Sequence, residues 1–144
     1  MKSIKDTSFY NDAIQVLSYS FGDYYLFENF IIGEVNKDIV FTWKDHAKSV
    51  VEEITSLYDQ NGKDLVYISN RIHPYSVVPS DWIHFFKYSY SLKGYGIISY
   101  DQKGKLNTMF EKLFMRSKFR SFDNLSEAIS WAKKLNNSKE ESAA

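Results

Sequence analysis

His73, Ser76, Ser80 and Asp81 bring the letters of a hydrolase triad into one stretch. A triad needs a base held between nucleophile and acid, and the three groups normally come from separate elements. Here all four fall within nine consecutive positions, and no G-x-S-x-G elbow is present. Hydrolysis by this set is not expected. The histidines, His46, His73 and His84, lack an H-x-x-x-H spacing with a nearby acid, so no metal site is expected. Absence of cysteine removes disulfides, thiolate catalysis and cysteine-based zinc sites. Glu28 and Glu34 stand six apart around a strand. Paired carboxylates do acid–base work, but exposed strand-edge charges are the commoner reading. The chain thus reads as non-enzymatic, with no catalytic residue, metal or cofactor.

Binding chemistry is better represented. Asn70 and Arg71 follow the apolar run Leu65-Val66-Tyr67-Ile68. An amide beside a guanidinium orients an anionic or carbonyl-bearing ligand. The plainer reading is loop bracing, with Asn70 in an Asx-turn and Arg71 in a surface ion pair. Tyr75 and Trp82 offer rings to the same place. Ser80 precedes the run Trp82-Ile83-His84-Phe85-Phe86, where a helix start would stabilise a phosphate. The alternative is that Ser80 caps that helix, and Asp81 beside it would repel an added dianion. Lys112, Arg116, Lys118 and Arg120 flank Phe114 and Met115. They suit an acidic membrane surface or the carboxyl end of a helix dipole. His46 is expected on the solvated side of its helix.

These residues need elements to hold them. Leu65–Asp81 reads as a central strand, a polar turn at Ser69-Asn70-Arg71, a long loop and the start of a helix. In open α/β sheets the crevice beyond such a strand is the usual ligand site. Before it, Ala13–Ser20, Tyr24–Phe27 and Phe30–Val35 read as three strands in meander. Gly33 inside the third suggests a bulge or a close backbone approach. Thr42 then caps a helix over 43–58, whose Trp43, Ala47, Val50, Val51, Ile54, Leu57 and Tyr58 recur at helical spacing. Asp45 completes a variant capping box, and Asn61-Gly62 stops the connection.

After the central strand, Pro74 and Pro79 keep the loop irregular. A second helix is expected over about Asp81–Tyr90, with Asp81 suited to its positive end. Gly94–Tyr100 reads as a buried strand. Leu106, Met109, Phe110, Leu113 and Phe114 form the apolar stripe of a third helix. Lys118–Phe122 reads as an edge strand. Asn124 with Glu127 caps a fourth helix, whose Leu125, Ala128, Ile129, Ala132 and Leu135 share one face. The expected order is a β-meander followed by αβαβαβα, an α/β fold with a mixed sheet. The domain spans 13–135, with a flexible leader over 1–12 and a disordered tail over 136–144.

Composition bounds the function. With 18 basic and 18 acidic side chains the formal charge is zero, which argues against a nucleic-acid binder. The amino terminus lacks the apolar core of a signal peptide, and no run approaches a membrane span. A cytoplasmic protein without stable membrane insertion is expected. Aromatics are abundant, with 11 Phe, 11 Tyr and 3 Trp. They either build a core of large rings or line a pocket or partner surface.

The element order and the segments FENFIIGEV, KDLVYISNR, GYGIISY and FDNLSEAISWAKKL resemble the SpoIIAA-like branch of the STAS superfamily (sulfate transporter and anti-sigma factor antagonist). The resemblance covers roughly residues 13–135, and similar chains of that branch are small bacterial proteins. It implies a fold akin to CRAL-TRIO lipid-transfer domains. It also implies a protein-interaction or regulatory module, switched in some members by phosphorylation at the start of the helix after the central strand. Ser80 and Ser76 are the implied phosphoacceptors. The loop here reads Tyr75-Ser76-Val77-Val78-Pro79-Ser80-Asp81, without the family's Asp-Ser or Asp-Thr pair. The expected partner is another protein, bound through loop 70–81 and the start of the second helix, and a homodimer fits the same role. The alternative is a carrier for a small apolar or lipid-like ligand in an aromatic-lined pocket.

Overall fold

The computed structural model describes residues 2–143, with side chains up to residue 137. The meander forms where alternation called for it: β1 (Gln15–Tyr19), β2 (Gly22–Leu26) and β3 (Phe30–Val35) pair antiparallel in turn. Parallel strands follow, β5 (Val66–Arg71), β7 (Gly94–Ser99) and β8 (Lys118–Phe122). Among the described residues these six make one mixed sheet, ordered β1-β2-β3-β5-β7-β8. Two short strands, β4 (Val40–Phe41) and β6 (Ser76–Val77), pair parallel outside it. Neither was expected, because two-residue strands carry no period. Helices α1 (Lys48–Tyr58), α2 (Trp82–Lys87), α3 (Gln102–Lys112) and α4 (Leu125–Ala143) complete the α/β fold.

The strand order never reverses after β3, so each crossover steps the same way. Right-handed crossovers then place α1, α2 and α3 on one sheet face. Helix α4 takes the other, where Leu125, Ala128, Ile129 and Ala132 pack on Ile32, Val66, Ile68 and Ile98. No strand reversal splits neighbouring crossovers, so space beyond the end of the central strand opens between the sheet face and α1–α3, lined by Ser69, Arg71, Tyr75 and Trp82.

Local signals explain most boundaries. The Thr42 side chain accepts from Asp45 N–H as an N-cap, although the first turn, Trp43–Ala47, is π-helical. Its reciprocal partner is His46, whose Nδ1 accepts from Thr42 N–H at 3.0 Å. His46 is therefore half-buried and engaged, stacking on Phe41 and meeting Phe21 edge-on. Asp59, in the left-handed region, ends α1 before Asn61-Gly62 is reached. Asn124 caps α4 through Glu127 N–H.

Several expectations fail for identifiable reasons. The leader is anchored, since Ile4 is fully buried and both Ser3 and Ile4 N–H donate to Glu34. Glu34 is correspondingly buried on an inner strand rather than an exposed edge charge, while Glu28 is exposed. Residues 136–143 continue α4, with no glycine or proline to stop it; Ala144 lies outside the described residues. Ser69, Asn70 and Arg71 belong to β5 rather than to a turn. Gly33 makes a close approach and no bulge. It pairs in register with Tyr24 and Ser69, and a Cβ there would lie 2.6 Å from the Tyr67 hydroxyl oxygen.

Helix α3 is turned around. Its buried residues are Thr108 and Glu111, and Leu106, Met109, Phe110 and Leu113 face outward. Among the described residues no helix is long and apolar enough to cross a membrane.

Candidate functional site

Strand alternation separates the two residues that the sequence puts side by side. Successive side chains of β5 point to opposite faces, so Arg71 faces α1–α3 and Asn70 faces α4 and the leader. Asn70 is buried, and its amide donates to Glu34 Oε2 at 2.7 Å and to the Lys2 carbonyl at 3.0 Å. Its carbonyl oxygen accepts from the Tyr100 hydroxyl at 2.7 Å. With Ser3 and Ile4 N–H on Glu34, this cluster is closed on itself and reaches no ligand space. Asn70 is a brace for the amino terminus, in place of the expected Asx-turn or ligand contact.

Arg71 enters a different setting. Its Nη2 pairs with Glu111 of α3 and donates to the Tyr95 hydroxyl at 3.1 Å, and its Nε donates to Ser69 Oγ at 3.2 Å. The Tyr95 hydroxyl donates to Glu111 Oε1 at 2.8 Å, and Trp82 Nε1 donates to the same oxygen at 3.2 Å. Tyr75 completes the group. Its hydroxyl lies 3.0 Å from Ser69 Oγ, and the guanidinium carbon stands 5.4 Å from its ring centroid. The pair is buried rather than at the surface. Burial opposes the Arg71 charge, but Tyr75, Glu111 and Tyr95 outweigh it and hold the guanidinium firmly protonated.

This cluster forms one end of a cavity of about 120 Å³. The rest of the wall is mainly apolar and aromatic, with Ile31, Phe41, Val50, Ile54, Leu65 and Phe85, and Thr42, Thr55, Asn61 and Ser91 at polar points. A row of rings crosses its floor. Tyr67 and Tyr95 are in register on β5 and β7 with rings stacked at 5.5 Å, and Phe119 on β8 continues the row beyond the cavity lining. Gly33 opens the gap through which Tyr24 joins the row from β2, 6.4 Å from Tyr67. The aromatic excess thus both fills the core and lines a cavity.

Two features of the wall are unfinished. The Tyr24 hydroxyl is buried with no well-formed hydrogen bond among the described residues. Burial, then the neighbouring Tyr67 and Tyr75 phenols, push its pKa well above the ordinary tyrosine value. Burial does the same to Tyr67 and Tyr95, so the floor is neutral phenol. Second, the bonds described for Arg71 use Nε and Nη2, and none uses Nη1.

The remaining candidates fall outside the cavity or serve the scaffold. Ser80 is exposed within the 3-10 turn Pro79–Asp81 and caps nothing. The Asp81 carboxylate turns back and accepts from Trp43 N–H at 2.7 Å, so it caps the first helix instead of its own. Ser76 is exposed on β6, where its N–H donates to the Ile39 carbonyl. His73 is exposed, and His84 Nε2 lies 3.9 Å from Asp81. Among the described residues no three His, Asp or Glu side chains gather to hold a metal. Arg116 and Arg120 sit over the Phe86 and Phe122 rings, and Lys112 and Lys118 are exposed.

Sequence reasoning found Arg71, Tyr75 and Trp82 but missed Glu111, Tyr95, Ser69 and Tyr24. A signal existed in α3. Gly104, Thr108 and Glu111 share a face opposite the apolar stripe, at helical spacing. That face is the inward one because Glu111 has Arg71, Tyr95 and Trp82 to meet, and Thr108 meets Ser99 at 3.2 Å. No family model, curated protein or solved structure compared with the chain matches it.

Proposed function

We propose that this chain is a non-catalytic binding module whose cavity takes a small, largely apolar ligand bearing one neutral, hydrogen-bond-accepting group. The observation that carries the reading is the cavity itself, mainly apolar along its walls and closed at one end by Arg71, Glu111, Tyr95 and Tyr75. Its volume is close to the roughly 150 Å³ of a cavity that accepts benzene, which suits one ring or a short alkyl segment. Glu111 already neutralises Arg71, so a second carboxylate would meet an anion as well as a cation. A carbonyl or hydroxyl at Nη1 fits better than a full charge. Such a module is consistent with the SpoIIAA-like STAS resemblance, and membership of that branch is part of the proposal. A regulatory, protein-binding role through loop 70–81 is the second reading, favoured by the exposure of Ser76 and Ser80 on that loop.

Thermal unfolding with phenol, indole, cyclohexanol and benzoate tests the proposal. A ligand that binds the folded state at a hundred times its Kd stabilises by about 2.7 kcal/mol. Phenol or indole should raise the midpoint, and benzoate should do so less. The gain should vanish in Arg71→Met with Glu111→Leu. Equal shifts in wild type and the double variant, or none with any probe, would reject the cavity as the site.

A further inference from the structure

The outward face of α3 is largely uncovered within the described residues; only Phe110 borders a groove with Ser76–Ser80. Leu106, Met109, Phe110 and Leu113 are 55%, 66%, 51% and 77% exposed. Their spacing is that of a single helical stripe, the pattern that normally faces a core. Rotation cannot hide it. Turning the stripe inward would withdraw Glu111 from Arg71, Tyr95 and Trp82 and leave a buried cation unpaired. The polar chemistry of the inner face therefore obliges the apolar face to stay outside.

Charge is distributed unevenly around that face. Residues 101–123 hold six cations, Lys103, Lys105, Lys112, Arg116, Lys118 and Arg120, and three acids: Glu111, which is buried, Asp101, which caps α3 through Gly104 N–H, and Asp123, which pairs with Lys105. The whole chain is neutral, and this segment keeps an excess of three positive charges, six cations against three acids. At 100° per residue, Lys103 lies on one flank of the stripe and Lys105 and Lys112 on the other. All three are exposed, and Lys105 also reaches Asp123 at 3.2 Å. Arg116 holds its charge beside the Phe86 ring at the helix end.

We propose that α3 is a membrane-surface anchor that lays Leu106, Met109, Phe110 and Leu113 into an anionic bilayer, with the flanking lysines on its headgroups. An apolar stripe rimmed by lysine is the arrangement of an interfacial helix, whose long cationic chains reach up to the phosphates. A protein interface would instead be depleted in lysine and anchored by Trp, Tyr or Arg. The stripe has none of these three. The helix lies in the plane of the interface and does not span it. This anchor stands on α3 alone and does not depend on whether the cavity holds a ligand.

Vesicle cosedimentation tests the anchor. The full chain is mixed with vesicles of phosphatidylcholine and phosphatidylglycerol in equal parts, and with phosphatidylcholine alone. It should sediment with the anionic vesicles, little with the neutral ones, and less as salt is raised. Met109→Asp with Leu113→Asp should abolish binding. Lys103→Gln with Lys112→Gln should weaken it on the order of tenfold or more. All four positions are exposed, and circular dichroism and the unfolding midpoint check that the variants stay folded. Equal binding to both vesicle types, no binding, or full binding by the Asp variant would overturn the proposal. So would a homodimer in sedimentation velocity that the same Asp substitutions dissociate, since a second copy would then cover the face.

Discussion

Asn70 and Arg71 are neighbours on β5, yet they anchor two buried polar clusters on opposite faces of the sheet. Both clusters contain a buried glutamate, a tyrosine hydroxyl and a side chain from β5. The Asn70 cluster is complete. Each oxygen of Glu34 accepts at least one hydrogen bond, and Asn70 uses both its amide and its carbonyl. The Arg71 cluster is incomplete. It borders a cavity and, among the described residues, leaves the Tyr24 hydroxyl without a well-formed bond and Nη1 unengaged. A satisfied network holds structure together, and an unsatisfied one facing empty space is where a ligand gains affinity.

The sharpest contrast concerns removal of one partner against removal of two. Glu111→Leu strips the counter-ion from a buried guanidinium and should cost ~3–5 kcal/mol in urea unfolding. Arg71→Met with Glu111→Leu removes both charges and should recover most of that loss. If the double variant is as unstable as the single, the Arg71 cluster is scaffold like its neighbour.

Glu34→Ala is the matching cut on the other face. It leaves Ser3, Ile4 N–H and Asn70 without their acceptor, and should cost about 3 kcal/mol. It should also free the leader, seen as faster amide exchange at Ile4 and early proteolysis near the amino terminus. A leader that stays protected would contradict the bracing role.

Phenol-to-phenyl changes give a smaller and more selective pair. Tyr100→Phe removes the bond to Asn70 and should cost about 1 kcal/mol. Tyr24→Phe removes a hydroxyl without a well-formed partner and should be neutral or slightly stabilising. Equal costs for the two would erase the distinction between the clusters.

Alkali provides the mildest test. Burial, then the nearby Glu34 carboxylate, push Tyr25 and Tyr100 up to about 12. An unfolded tyrosine titrates near 10. Between those values the unfolded chain binds fewer protons than the folded one, so stability falls as pH rises from about 10 to about 12. Below 10 both states are protonated and these groups contribute no slope. Phenolate absorbance should show Tyr25 and Tyr100 ionising late, and Glu34→Gln should bring both down.

Much of the fold was legible because it rests on local signals. Phe30–Val35 is a strand with the expected bounds, and Thr42 and Asn124 cap as their types suggest. The site was half legible. Arg71, Tyr75 and Trp82 were visible as residue types beside a strand end, but their partner Tyr95 on β7 carries no local mark, and Glu111 on α3 shows only in the polar face it shares with Gly104 and Thr108. Alternation placed Asn70 on the wrong face for binding once Ser69–Arg71 proved to be strand. The orientation of α3 was illegible from hydrophobicity, because the apolar stripe loses to an ion pair formed across 40 positions of sequence. The anchored leader was illegible for the same reason, since Glu34 is its acceptor and lies far along the chain.

The central claim is that the Arg71 face binds a small ligand and the Asn70 face does not. Phenol titrated into isotopically labelled protein, followed by amide and indole NMR shifts, tests it most directly. The expected result is saturable shifts at Arg71, Tyr75 and the Trp82 indole N–H, with Asn70, Tyr100 and Ile4 unmoved. Shifts centred on Asn70 and the leader, or none that saturate, would contradict it.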